Sequence, residues 1–276
     1  NNNGEIVFLK CDCEGSGKPS VLSMWGSCFS VFNAIDRDVK TSQNFNYGNT
    51  KEQHMSSMKH LKETANQYAK QSNYKKQEDT LNYAIEKDKA FFLEHPDYYL
   101  DYEPHYLLGY FHECHMNFTH ASSCYNNAIN YLSKYLCECV KPNIKNLRNS
   151  YEKYESSMNK SVDYDNALKE YNNQSMLYQL FNSSPQKPSN YGDYKYYKND
   201  YDLYQKILLV AGMFDSIGVM CKHARDYYPA YVCYAAADDI RRGTDRGYKI
   251  LEMRSRGVQY LGDLYPEIKE SDYENI

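Results

Sequence analysis

The chain has 276 residues, a net charge of −4 and a pI of about 6.1. That length can bury a sizeable core, as one elongated array or as two small domains, and the mild acidity gives no reason to expect nucleic acid as a partner. The longest unbroken apolar run, Ile207–Phe214, is far short of the ~20 residues that cross a bilayer, so no membrane span is expected.

The sequence opens Asn-Asn-Asn-Gly, without Met or a signal-like apolar segment, and reads as a fragment or a processed form. Cys11-Asp-Cys13-Glu-Gly15 ends an element, and Gly15-Ser-Gly-Lys-Pro19 is a loop. Val21, Leu22, Met24, Trp25, Phe29, Phe32 and Ile35 recur at helical spacing, which predicts a helix over 21–36. Another loop covers 44–51. A helical hairpin follows: helix A over about 53–71, a turn at Ser72-Asn-Tyr74, and helix B over about 78–94. Ala84 is a small residue that lets a neighbouring helix approach. Pro96, in His95-Pro96-Asp97, stops helix B because its ring removes a donor and restricts the residue before it. Ala84 precedes Pro96 by twelve positions, as in tetratricopeptide units of about 34 residues.

A second hairpin begins near Pro104, a favourable first-turn residue. Its Leu108, Gly109, Ala121, Tyr125 and Ala128 fall at the Leu-Gly, Ala, aromatic and Ala positions of a tetratricopeptide unit. His105 and His112 occupy the places of the consensus Trp and Tyr. Residues 141–200 are polar, with a long exposed helix over 146–172 and a loop over 183–192. From Tyr201 the apolar period returns through Leu203, Ile207, Val210, Met213, Phe214, Ile217 and Met220. A last segment, 229–266, ends like the first hairpin but carries Arg254 where Ala is expected. No strand-like alternation of any length is seen. The expectation is all-α: tetratricopeptide-like hairpins interleaved with cysteine-bearing helices. They fall into a first half (1–140), a polar insert (141–200) and a second segment (201–276) of one continuous array.

Nine cysteines are many for a cytosolic scaffold. They group as Cys11/Cys13, Cys114/Cys124, Cys137/Cys139 and Cys221/Cys233, with Cys28 between groups. The C-x-C pairs do not have the spacing of four-ligand zinc sites. Disulfides in an oxidising compartment are the first reading and buried thiols the second. Sequons stand at Asn117, Asn159, Asn173 and Asn182 and make these four the candidate glycosylation sites.

Ala84-Ile85, Phe91-Phe92-Leu93 and His95-Pro96-Asp97 look like a hairpin ending of the leprecan family, the prolyl 3-hydroxylases and their non-catalytic relatives. Cys13-Glu14-Gly15 is similar to the family's Cys-Glu-Gly helix ending. The run from Leu108-Gly109 through Ala121 and Ala128 to Cys139 resembles its hairpin followed by a cysteine helix. Met220-Cys221-Lys222 resembles the next cysteine helix, and Tyr260-Leu261 with Tyr265-Pro266-Glu267 the closing hairpin. The resemblance implies a non-enzymatic scaffold of the endoplasmic reticulum lumen or secretory route, without a cofactor. It would assist collagen prolyl 3-hydroxylation and folding by holding a prolyl 3-hydroxylase, a peptidyl-prolyl isomerase and procollagen together. A generic tetratricopeptide-like adaptor and the helical arm of a larger 2-oxoglutarate-dependent hydroxylase remain the alternatives.

The hydroxylase domain of that family uses a His-x-Asp…His triad. The one His-x-Asp in this chain is His95-Pro96-Asp97, read as a helix stop and not as a metal site. His112, Cys114, His115 and His120 form a His/Cys cluster, read as hairpin packing before metal binding. Arg241, Arg242, Arg246, Arg254 and Arg256, interleaved with Asp238, Asp239, Asp245 and Glu252, are read as a solvated, salt-bridged helix face. Tyr, at 31 residues, is read mainly as packing. Its exposed members could also line a groove for an extended Pro-rich chain such as procollagen. No catalytic constellation is assembled from spacing, and Gly212–Gly218 lacks the Lys of a phosphate loop.

Overall fold

The computed structural model describes residues 50–140, 143–175 and 182–269, with Cys139 and Val140 described by their backbone alone. The helix expected over 21–36, the loop before it, the loop expected over 44–51 as far as residue 49, and Cys11, Cys13 and Cys28 lie outside the described residues, while Thr50 and Lys51 are the N-cap and first residue of a helix. Among the described residues there are eight α-helices and no strand: α1 Lys51–Lys70, α2 Tyr74–Glu94, α3 Glu103–Cys114, α4 Phe118–Tyr135, α5 Ile144–Asn172, α6 Lys198–His223, α7 Tyr227–Arg242 and α8 Asp245–Ser255. A π-helical turn, Leu136–Val140, continues α4, and short 3₁₀ turns span Asp193–Tyr197 and Gly262–Leu264.

Three antiparallel hairpins, α1–α2, α3–α4 and α6–α7, share one register. Each turns on a non-glycine residue in the left-handed region: Ser72 (φ 55°), Met116 (φ 56°) and Arg225 (φ 61°). The next residue, Asn73, Asn117 or Asp226, donates its backbone N–H back to Tyr68, His112 or Cys221 at 2.9, 2.8 and 2.9 Å. This closes the helix C-terminus, and the same residue serves as N-cap of the following helix. Eight residues before that N-cap stand Ala65, Gly109 and Gly218; eight after it stand Leu81, Tyr125 and Tyr234; eleven after it stand Ala84, Ala128 and Ala237. A Cβ on Gly109 would lie 2.7 Å from the Tyr125 ring, and one on Gly218 the same distance from the Tyr234 ring. In the second and third pairs the two helices therefore approach through a glycine under a tyrosine ring, and in the first pair Ala65 and Leu81 hold the same positions.

This register corrects one expectation. Turn to turn, Asn73 and Asn117 are 44 residues apart, longer than a unit of about 34. Ala84 is the counterpart of Ala128, not of Ala121, and Pro96 lies exposed in the linker beyond α2. Ala84, Ala121, Tyr125 and Ala128 are all fully buried, as their packing role requires. Helix starts also move earlier. Thr50 accepts from the Gln53 N–H and Asn73 accepts from the Lys76 N–H, so α1 and α2 begin at 51 and 74 instead of 53 and 78.

One buried apolar cluster runs from Ala65 to Tyr265. α2 packs on α3, α4 on α6, and α8 on both α4 and α7. Asp193–His223, which contains α6, is long and apolar enough to span a bilayer when counted as a whole helical stretch, but 67% of its apolar window is buried, against α4, α5 and α7. It is the central core helix of the fold, and its interspersed Asp215, Ser216 and Lys222 break the unbroken run.

A polar relay ties the α2–α3 linker to the first hairpin. His54 Nε2 and Asp88 Oδ1 are 2.8 Å apart, both buried, and the Asp101 N–H donates to Asp88 Oδ2 at 2.6 Å. His54 also stacks on Phe91. Lys62 donates to Asp101 at 2.7 Å and to Glu103. Burial works against the Lys62 charge, but the two carboxylates outweigh it and hold its pKa above the ordinary value.

Arg254 is a second correction. It does not belong to a solvated face: it is 1% exposed. Its guanidinium lies over the Phe214 ring, donates to Asn126 Oδ1 at 2.7 Å and Asn126 O at 3.1 Å, and points toward Gln259 O at 3.4 Å. Burial lowers its pKa to about 10. It joins α8, α4, α6 and the closing segment at one point.

Two outcomes are expected in urea unfolding. Gly109→Ala and Gly218→Ala should each destabilise by about 1–3 kcal/mol, since the added methyl meets a ring held between helices. Arg254→Ala should cost about 2–4 kcal/mol by leaving Asn126 without its charged donor, and Arg254→Met, which restores volume, should recover much of that loss.

Candidate functional site

The polar insert is held down by tyrosine. α5 is 29 residues, about 43 Å, and its N-terminal half lies against α6. The Tyr201 ring stacks on both Tyr151 (5.0 Å) and Tyr154 (4.0 Å), with Tyr204 and Tyr194 closing the cluster. Ser157 Oγ donates to Asn190 O at 2.7 Å and accepts from the Tyr194 N–H. One turn on, Ser161 Oγ accepts from the Gly192 N–H. Two buried serines thus latch the turn at 190–194 to α5. Between them opens a polar cleft of about 570 Å³ lined by Asn149, Glu152, Lys153, Ser156, Asp193 and Tyr197. Glu152 and Asp193 leave it slightly acidic around one Lys.

Elsewhere the tyrosines lie under lysines. Lys76 sits over Tyr68, Lys87 over Tyr83, Lys153 over Tyr197, Lys187 over Tyr191, Lys198 over Tyr201 and Lys206 over Tyr135. Most of the Tyr-rich surface is therefore committed to packing or to cation–π contacts. Among the described residues of the chain's last third, Tyr196 on the 3₁₀ turn and Val219 on α6 are exposed, and further along Tyr231, Tyr248, Val258 and Tyr260 are exposed as well. Tyr228 and Tyr260 bring their hydroxyls to 3.4 Å, and Tyr231 meets Tyr234 edge-on. This aromatic surface on α7 and the segment after α8 is the strongest candidate for docking a partner chain.

The predicted site residues are placed as follows. Cys114 is exposed, Cys124, Cys137, Cys221 and Cys233 are half-buried, and all five stand as thiols. No disulfide joins the described cysteine side chains. Burial pushes the Cys124 thiol up to about 11 and Cys233 up to about 12, and raises Cys137 and Cys221 as well. Cys221 and Cys233 lie in the same hairpin and feel one another electrostatically. The four sequon asparagines are all exposed: Asn117 at the N-cap of α4, Asn159 along α5, Asn173 at its C-terminus and Asn182 in the loop.

His112 and His120 bring their rings to 5.3 Å, and Glu78 lies 3.8 Å from His112 Nε2. His120 Nδ1 is bonded to Asn117 and His115 Nδ1 to Phe111 O. Among the described residues no group of three His, Cys, Asp or Glu side chains is arranged to hold a metal. His95 closes α2 and tilts over Phe91. Of the arginines, Arg241 pairs with Asp215, Arg242 with Asp238, Arg246 with Glu267 and Arg256 with Glu252. Only Arg254 leaves the solvated set.

Sequence reasoning missed the Ser157/Ser161 latch. Two serines four apart on a polar helix carry no signal until the loop they grip is known. The His54–Asp88 pair, 34 residues apart in sequence, was missed for the same reason. No protein-family model, curated protein or solved structure matches the chain.

Thiol labelling at pH 7.5 tests the cysteine environment. Cys114 should react at least about tenfold faster than Cys124 or Cys233, whose raised pKa and burial leave little accessible thiolate. Equal rates, or five unreactive cysteines that label only after reduction, would show a different covalent state.

Proposed function

We propose that the chain is a non-enzymatic helical-hairpin scaffold that docks protein partners. The observation that carries this reading is the shared register of three hairpins, which stacks rigid helix pairs and leaves the Tyr231/Val258/Tyr260 surface turned outward. Stacked hairpins present extended surfaces, and each pair contacts mainly its neighbours. Exposed tyrosines supply large contact area at a small entropy cost.

The more specific version rests on the leprecan resemblance. It places the scaffold in the endoplasmic reticulum lumen or secretory route, beside a prolyl 3-hydroxylase and a peptidyl-prolyl isomerase, with procollagen on the aromatic surface. Four exposed sequons suit that version. The thiol state of Cys114, Cys124, Cys137, Cys221 and Cys233 favours the other version, an adaptor of the same architecture in a reducing compartment. The helical arm of a larger 2-oxoglutarate-dependent hydroxylase shares the scaffold and differs by a domain elsewhere in the gene product.

Non-reducing mass spectrometry of protein made in a secretory host separates the two. Linked cysteines around Cys137/Cys139 or Cys221/Cys233, with sugar on Asn117, Asn159, Asn173 or Asn182, support the secretory version; free thiols and bare asparagines reject it. Docking is tested by calorimetry with a Pro-rich collagen-like peptide. Tyr231→Ala with Tyr260→Ala should weaken binding about tenfold or more while the fold is kept. An unchanged affinity removes the aromatic surface from the reading.

A further inference from the structure

α3 carries two histidines, His105 and His112, seven residues apart and so on one face of the helix. They are 6% and 7% exposed. They sit where α2 of the first hairpin meets α3 and α4 of the second. Three features make this seam different from the rest of the array.

The first concerns the groups around His105. The charges of Glu86, Asp88 and Lys89 on α2 act on it, and from α4 the Tyr131 ring lies at 5.2 Å. Both Asp88 oxygens are already engaged, one with His54 Nε2 and the other with the Asp101 N–H. Glu86 is exposed and pairs with Lys89. A proton added to His105 therefore meets a nearby cation and carboxylates whose hydrogen-bonding capacity is directed elsewhere.

The second concerns His112. It faces Glu78 of α2 at 3.8 Å, beyond hydrogen-bond length, His120 of α4 with ring centroids at 5.3 Å, and His115 one turn along α3.

The third is the contrast inside the first hairpin. His54 has Asp88 at 2.8 Å, a contact that lies wholly within α1–α2. The histidine inside the first hairpin thus has a carboxylate at hydrogen-bond length, whereas His112 at the seam has its carboxylate at 3.8 Å.

We infer that the seam between the α1–α2 hairpin and α3 is a pH-released joint, held closed by uncharged His105 and His112 and opened when these two side chains take up protons.

The direction of the titration agrees. Burial, with Lys89 adding to it against Asp88 and Glu86, holds His105 down at about 4 from an ordinary 6.5. Burial lowers His112 too, against Glu78 and with His120 and His115. A histidine depressed in the closed state favours closure above its free value and withdraws that support as pH falls from 6.5 toward the folded value. Each such histidine raises the opening equilibrium by about tenfold per pH unit at most within that window.

Hydrogen exchange of the whole chain at pH 7.0 and 5.2, corrected for intrinsic exchange rates, tests the joint. The expected result is a loss of protection across α1–α3 of about ten- to hundredfold relative to α6–α7. His105→Gln with His112→Gln, folded at pH 7.0 by circular dichroism, should remove that difference. A loss spread evenly along the chain, or the same α1–α3 loss in the double variant, overturns the inference. If the double variant does not fold, NMR titration of the wild-type imidazoles decides. Two depressed histidines whose titration accompanies shifts in α2 and α3 amides support the joint. All imidazoles titrating near 6.5 with those amides unmoved reject it.

Discussion

The close approach of two helices through a small residue sets the geometry of everything else. Gly109 under Tyr125 and Gly218 under Tyr234 leave no room for even a methyl group. That contact fixes how far apart the helices of a pair lie and which faces remain for the next pair. Because in these two pairs the ring is on the second helix and the gap on the first, the contact also fixes the register of the turn between them. The left-handed Ser72, Met116 and Arg225 occupy a conformation that costs a non-glycine residue of order 1 kcal/mol. The packing on either side holds them there.

Around that repeated unit the irregular parts are fastened with polar bonds. The α2–α3 linker hangs on the Asp88 carboxylate and on Lys62. The turn at 190–194 hangs on two serine hydroxyls. α8 hangs on Arg254. Asp88, Ser157, Ser161 and Arg254 are buried groups that engage backbone, and Lys62 adds a side-chain ion pair, each a directional attachment that fixes position where apolar packing alone would allow sliding. Tyrosine plays the complementary part on the polar insert. Its ring gives α5 an apolar face against α6, while its hydroxyl, as in Tyr151 to Glu155, stays bonded at the surface.

What could be read from the sequence follows from how local each feature is. The hairpin of Gly109, Ala121, Tyr125 and Ala128 was legible because its contacts lie within twenty residues and obey helical spacing. The period was misjudged because Pro96 ends a helix without ending a repeat, and because Ala84 fits two positions of a unit that uses Ala twice. Asn73 and Asn117 were invisible as caps in a chain so rich in Asn. His105 and His112 stood in the sequence as departures from the consensus Trp and Tyr positions, and their burial and their neighbours on α2 could be named only once the hairpins were packed. Arg254 read as one charge among many, since nothing near it in sequence foretells Asn126. The candidate docking surface was less legible still: 31 tyrosines look alike in sequence, and only burial separates those that pack from those that face out.

Arg254 and Asn126 are 128 residues apart in the chain, whereas each hairpin closes within a few dozen. Local contacts form fast and distant ones slowly, because loop-closure entropy must be met before a distant contact stabilises anything. The molecule therefore has two folding speeds built into it. Each hairpin can zip from its own turn, while the guanidinium must wait for four elements to arrive before it can leave water. Until then α8 has no place to lock, and the apolar faces of α4 and α6 stay open. A contact of such long sequence separation ties the end of the described chain back to its middle, so loosening the closing segment would loosen the seat of α4 as well.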